Sequence, residues 1–233
     1  MASRPVFMPN PDGQAPVITH AVDFEWFAGL SVTQKQKSIT SLHQAARKLT
    51  GIDSVLEVST KSAEPLGVAL SAFNLSFTLS MLEHPVSVEC AFQGSKVFEQ
   101  GGPFTEIYGF TSRDAKRDER LRTSGRLTGF NFMGTDWPLE PQTAFYDWLY
   151  INALTHRKDL TEQLADYSAF TDIEFSPLKS INCQAYSLAL FVSLQKRNCL
   201  ESVTSSQAAF LHFLQSRPVV SARQDDLSQG RLF

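Results

Sequence analysis

No Gly-x-Gly-x-x-Gly turn and no Walker-type lysine loop occurs in the sequence, so neither a dinucleotide fold nor a nucleoside triphosphatase is indicated. Cysteine is scarce. Cys90, Cys183 and Cys199 are odd in number and far apart, with no C-x-x-C and no Cys/His ligand spacing. That speaks against a structural zinc or a disulfide framework. Reduced thiols in a cytoplasmic protein is the natural reading. An excess of positive charge is also missing. With 21 Lys and Arg against 24 Asp and Glu the formal net charge is −3. A surface that clamps nucleic acid all over is thereby excluded, while a local basic patch is not. No apolar run approaches a membrane span, and the stretch from Met1 to Pro11 holds none that would serve as a signal peptide. The histidines form no ligand set, and neither a metal nor a cofactor is expected.

What is present is enough for a sizeable core in one elaborated domain, with 233 residues, 42% hydrophobic, and 18 phenylalanines to fill it. Pro5, Pro9 and Pro11 suit an extended arm with Val6-Phe7-Met8 as an edge strand. Alternation predicts a strand around Val22–Trp26 and another at Ser54–Ser59. Between them Ile39, Leu42 and Ala46 mark a helix over Ser31–Leu49 that Gly51 stops. Further helices are expected over the charged run from Thr111 to Arg126, over Thr143–Leu154, and over Ala185–Leu200 and Ser205–Gln215. The last residues, 221–233, read as a polar tail.

The most informative stretch runs from Pro85 to Phe98. Ser87 is a good N-cap, and Glu89 in the first turn suits the positive end of the helix dipole. At helical spacing Glu89, Gln93, Lys96 and Gln100 form one polar stripe on an otherwise apolar or small-residue cylinder. A surface helix shows the reverse. The helix is therefore expected to be buried nearly all round, with its stripe facing solvent or a pocket.

Ser87-Val88-Glu89, Phe92-Gln93 and Lys96 resemble the S/T-V-E-x-x-F-Q-x-x-K signature of the NADAR (YbiA-like) family, which is associated with NAD and ADP-ribose metabolism. Leu70-Ser71-Ala72-Phe73 resembles its L-S-N-F motif, with Ala72 where Asn is usual and Asn74 nearby to take over a polar role. Ala115-Lys116-Arg117 resembles its A-K-x-x-G-R region without the Gly. Trp137-Pro138 matches loosely a Trp before its long helix, and Glu174 its late Glu. Where the family has an Asp and a Trp-Gly pair, this chain has Ser180-Ile181-Asn182-Cys183-Gln184. The resemblance covers about Leu70 to Gln184. More specifically, the stretches Val86–Phe98, Ser112–Leu121 and Trp137–Ala153 look like the NADAR proteins encoded beside DarT-type DNA ADP-ribosyltransferase toxins.

The resemblance implies an α+β, predominantly helical single domain with a small N-terminal sheet. Its core spans residues 66–220, and residues 1–65 form an extension packed on it. It implies an antitoxin that hydrolyses the N-glycosidic bond joining ADP-ribose to guanine in DNA, with ADP-ribosylated DNA, ADP-ribose and the toxin as partners and no membrane. Such bonds break through oxocarbenium-like states, which a carboxylate stabilises. Glu89 is the expected carboxylate and Lys96 the expected cation, with a second role for Lys96 as a Schiff-base amine. Ser71, Phe73, Ser87, Gln93, Arg117, Trp137, Asp147, Glu174, Asn182 and Gln184 are the substrate-binding candidates. Arg113, Lys116 and Arg120 are candidates for DNA phosphates, which arginine grips well. The same basic run also fits a salt-bridged, solvated helix, and aromatic residues at helical spacing also fit a core. Two other functions stay open: a non-catalytic protein that binds the toxin, and an N-glycosidase for a small ribosylated metabolite.

Overall fold

The structure is a computed structural model and describes residues 1–79, 82–178 and 180–216. The expected tail, residues 221–233, lies outside the described residues. Helix makes up about 44% and strand about 18% of the molecule, so the mixed, helix-dominated class read from the sequence is what is found.

Strands β1 (Ala2–Pro9) and β2 (Val17–Phe24) form a hairpin registered from Ala2↔Phe24 to Pro9↔Val17. Helix α1 (Val32–Thr50) follows. The Ser31 hydroxyl accepts from Gln34 N at 3.3 Å and begins it. Gly51 at φ 71° ends it, donating its N–H to Arg47 O, in the left-handed conformation that glycine adopts without strain. Strand β3 (Val55–Glu57) and the short helix α2 (Pro65–Ala69) complete the first quarter of the chain.

The N-terminal strands do not form a sheet of their own. Strand β9 (Ala169–Thr171) inserts between β1 and β3, giving the order β2-β1-β9-β3, antiparallel to β1 and parallel to β3. Val6-Phe7-Met8 is therefore not an edge strand. Proline is tolerated in β1 because the short β9 pairs only with Val6 and Phe7, so Pro5 has no bond to donate there.

The middle of the chain holds the hairpin β4 (Ser76–Phe77) and β5 (Val86–Ser87), then helix α3 (Val88–Gly94). A three-stranded sheet follows in the order β6-β7-β8, built from β6 (Lys96–Phe98), β7 (Leu127–Phe132) and β8 (Thr135–Trp137). Between β6 and β7 lie α4 (Ser112–Arg117) and α5 (Arg120–Thr123). The chain closes with α6 (Ala144–Thr155), α7 (Lys158–Thr161), α8 (Gln184–Lys196), α9 (Leu200–Thr204) and α10 (Gln207–Gln215). Phe92, Phe132, Phe145, Tyr150, Phe170, Phe191 and Phe210 sit in one core cluster, which accounts for much of the phenylalanine content. α8 runs through this core with every residue from Ala185 to Leu194 buried.

Helix α3 corrects the sequence reading at its far end. It is buried on all sides, as its pattern requires, but it stops at Gly94 instead of reaching Phe98. Ser95 Oγ donates back to Ala91 O at 2.7 Å, and Gly94 O accepts from Phe104 N at 2.7 Å. Lys96-Val97-Phe98 then pairs with β7, Lys96 opposite Phe130. The i, i+7 helical relation between Glu89 and Lys96 therefore does not exist. Gly94 is there for space: a Cβ would lie 2.6 Å from Tyr108 Cε1 and 3.0 Å from Phe104 O. Gly94→Ala is expected to destabilise the fold by roughly 1–3 kcal/mol through overpacking, read as a lower midpoint in chemical denaturation.

The charged run is corrected as well. Thr111 caps α4 by accepting from Asp114 N. The helix then breaks at Asp118, whose carboxylate accepts from Arg120 N, Nε and Nη2.

Candidate active site

Glu89 and Gln93, one turn apart on α3, face a cavity of about 650 Å³. The start of α3 is held from several directions. Val88 N donates to Leu75 O and Glu89 N to Ala72 O, each at 2.9 Å. Ser112 Oγ donates to Phe73 O at 2.8 Å. The Ser87 hydroxyl then donates to Ser112 Oγ at 2.8 Å while accepting from Cys90 N. The 70–75 loop, α3 and α4 are thus tied at a single point, which fixes where Glu89 sits.

Glu89 is 6% exposed and Gln93 7%. Glu89 Oε1 accepts from Gln93 Nε2 at 2.9 Å. A carboxylate only accepts, so the amide nitrogen must face it. Gln93 Oε1 is left buried without a partner at the cavity wall. A buried acceptor left unmade costs about 1–3 kcal/mol, and a ligand hydroxyl would satisfy it.

Lys96 enters the same cavity from β6. Its Nζ lies 5.0 Å from the Phe92 ring centroid, and it makes no ion pair among the described residues. Burial pushes its pKa down to about 8; nearby Glu89 opposes that and Lys116 adds to it. About a tenth of this lysine is therefore a neutral amine at pH 7, far more than for an ordinary lysine.

The rim is basic on one side. Arg113 and Lys116 of α4 line it, and Lys116 Nζ lies 5.3 Å from the Phe73 ring. Ser71, Phe73, Glu174, Asn182 and Gln184 line it too. Ser71 Oγ donates to Val68 O, and Glu174 pairs with Lys35 at 3.0 Å. Gln184 uses both amide atoms on the scaffold, accepting from Ala72 N at 2.7 Å and donating to Val58 O at 2.6 Å. Asn74 is turned away, its amide donating to Val68 O.

Five candidates are not brought to the cavity. Trp137 is 2% exposed and packs its ring 5.0 Å from Trp148 and 5.4 Å from Phe145. Its aromatic neighbours make it core. Asp147 is buried between Ser187 Oγ at 2.6 Å and Thr143 Oγ1 at 2.7 Å, both donating to it. Ser87 is spent on capping. Arg117 is exposed and does not line the cavity, and Arg120 is held by Asp118 and Glu106 over the Phe104 ring.

Burial lifts the Asp147 carboxyl to about 7. A carboxyl raised above its unfolded value near 3.9 stabilises the fold below that pH, and the contribution is lost as pH climbs through about 7. Asp147→Asn keeps a neutral group at every pH. Thermal melts should therefore show a smaller drop from pH 5 to pH 8 in this variant than in the parent.

Sequence reasoning missed Asp172 and Tyr146, which also line the cavity. Asp172 is backed by a second buried carboxyl, Glu57; burial raises both, the Asp172 charge raising Glu57 further and the Glu174 charge raising Asp172. Asp172 Oδ1 accepts from Glu174 N and Phe175 N. Glu57 accepts from Ile173 N and from Thr171 Oγ1, leaving Thr171 to accept from Nε2–H of a neutral His43. Residues 172–174 turn away from the end of β9, so Asp172 reaches the cavity beside Glu174 through a local bend that no strand or helix period in the sequence marks.

Residues 2–224 match the model of the DarT1-associated NADAR antitoxin family. The chain belongs to that family. The match takes in almost all of residues 1–65, which lie outside the stretch that carries the motif resemblance. The NADAR family has glycosidase-type activity, and membership of this branch supports an antitoxin role paired with a DarT1-type toxin. No curated protein matches the chain. Among the described residues no helix is long and apolar enough to cross a membrane.

Proposed function

We propose that this NADAR antitoxin is an ADP-ribosyl hydrolase that removes ADP-ribose from guanine in DNA, reversing the mark of its toxin in the cytoplasm. The observation that carries the reading is the buried Glu89–Gln93 pair sharing one cavity with a lysine whose pKa is lowered. A surface that only docks a toxin needs no such burial of charge, which is costly unless it is used.

In this reading the pyrophosphate lies toward Arg113 and Lys116 and the distal ribose over α3. Glu89 stabilises positive charge at the anomeric carbon or activates water there. Gln93 holds Glu89 and offers Oε1 to a ribose hydroxyl. Lys96 acts as a cation, or as an amine that attacks the ring-opened imine at that carbon. In the second case guanine leaves with a proton on its nitrogen. Water then hydrolyses the lysine imine, and the freed sugar recloses as ADP-ribose.

Mass spectrometry of toxin-modified DNA treated with the protein tests the reading. Unmodified guanine together with free ADP-ribose supports it, and modified DNA that comes through intact sinks it. The phosphate role has its own check. Arg113→Ala and Lys116→Ala should each weaken binding of free ADP-ribose about tenfold, the size of one hydrogen bond to a charged group; unchanged affinity would take both residues off the pyrophosphate.

A further inference from the structure

A second cavity of about 470 Å³ opens beside the first, and its lining differs. The two share Phe92, Lys96, Tyr146, Ser180 and Asn182. Beyond this junction the charged groups thin out. The floor is aromatic, with the Phe130 ring 4.8 Å from Phe145 and 5.4 Å from Phe92. The lining also includes Leu139 and Ile181, which are 39% and 37% exposed. Two exposed apolar side chains at one cavity are not explained by the fold, since neither belongs to a core cluster. Glu140 and Gln142 line the same cavity and supply polar groups at its edge.

We propose that this cavity is a nucleobase-stacking subsite: an aromatic floor and an aliphatic rim take the two faces of a planar ring, and Glu140 and Gln142 meet its polar edge. The volume lies within the roughly 300–1,000 Å³ of small-molecule sites. The subsite rests on the ADP-ribosyl reading of the neighbouring cavity. With the distal ribose over Glu89 and the junction at Lys96, the scissile bond lies between the two compartments. A base taken out of its stack is ordinarily held between aromatic and apolar side chains. The guanine that carries the modification is the base this placement brings there; the adenine of ADP-ribose, beyond the pyrophosphate, would reach it only with the ligand reversed, and the two are separated by the test.

The test removes the aliphatic rim with the double variant Leu139→Ala/Ile181→Ala, in a Glu89→Gln background so that substrate persists. The two side chains are each more than a third exposed, and circular dichroism checks that the fold is kept. Binding is measured to free ADP-ribose and to an oligonucleotide carrying ADP-ribosyl-guanine. If guanine is the occupant, the modified oligonucleotide binds about 10- to 100-fold more weakly, the size of one stacked base, and ADP-ribose binds as before. If adenine is the occupant, free ADP-ribose weakens by the same factor. Ile181→Phe, which supplies an aromatic face instead, should keep parental affinity for both ligands. Unchanged binding of both ligands in the double variant overturns the subsite and leaves the functional reading standing. A rim-intact Glu89→Gln protein that binds neither ligand overturns the functional reading itself.

Discussion

Glu89→Gln is expected to cut the release of ADP-ribose from modified DNA by about 10²- to 10⁴-fold, the range for a lost acid–base group, with little effect on the fold. The substituted amide keeps an acceptor for Gln93 Nε2, so the contact at 2.9 Å survives. What disappears is the negative charge. It sits in the first turn of α3, where the helix dipole makes it worth only about 0.3–1 kcal/mol to stability. Binding of ADP-ribose should weaken far less than turnover, because the charge acts chiefly on the cation-like transition state. If turnover and binding fall together by the same factor, Glu89 holds the ligand and the chemistry lies elsewhere.

Lys96 carries the second large effect. If its neutral amine attacks the sugar, turnover should rise about tenfold per pH unit below about 8 and level off above, because the pKa is lowered to about 8 by burial. Borohydride added during turnover should then trap the sugar covalently on Lys96. Lys96→Arg separates the two roles. It keeps the cation near the Phe92 ring but cannot form an imine. Loss of activity by about 10²-fold or more in Lys96→Arg, with no trapped adduct, supports the covalent role. Substantial activity in Lys96→Arg, together with an untrappable parent, reduces Lys96 to a positive charge.

The capping and the burial of α3 were legible because they are local. Ser87 caps, Glu89 sits in the first turn, and an apolar cylinder with one polar stripe can only be a buried helix beside something polar. Where the helix ends was not legible. Lys96 and Gln100 continue the helical spacing by coincidence, while the strand that claims Lys96-Val97-Phe98 comes from residues 127–130, outside any local window. Trp137 shows the same limit. An aromatic residue near a binding motif looks alike whether it meets a ligand or a core, and only its neighbours Phe145 and Trp148 decide. Asp172 and Glu57 lie more than a hundred residues apart and meet because β3 and β9 run side by side. Arg120 was a candidate for DNA phosphate, but Glu106, beyond α4 in the sequence, joins Asp118 in holding it.

An antitoxin that works by turnover clears many modified bases per molecule, which a stoichiometric binder does not. Toxin-modified DNA is stripped of toxin and incubated with the protein at one molecule per hundred ADP-ribosyl guanines. ADP-ribose is expected to be released from nearly all of them, with guanine restored. No release from purified DNA, by a protein that still binds the toxin tightly, would contradict it and make this chain a stoichiometric inhibitor.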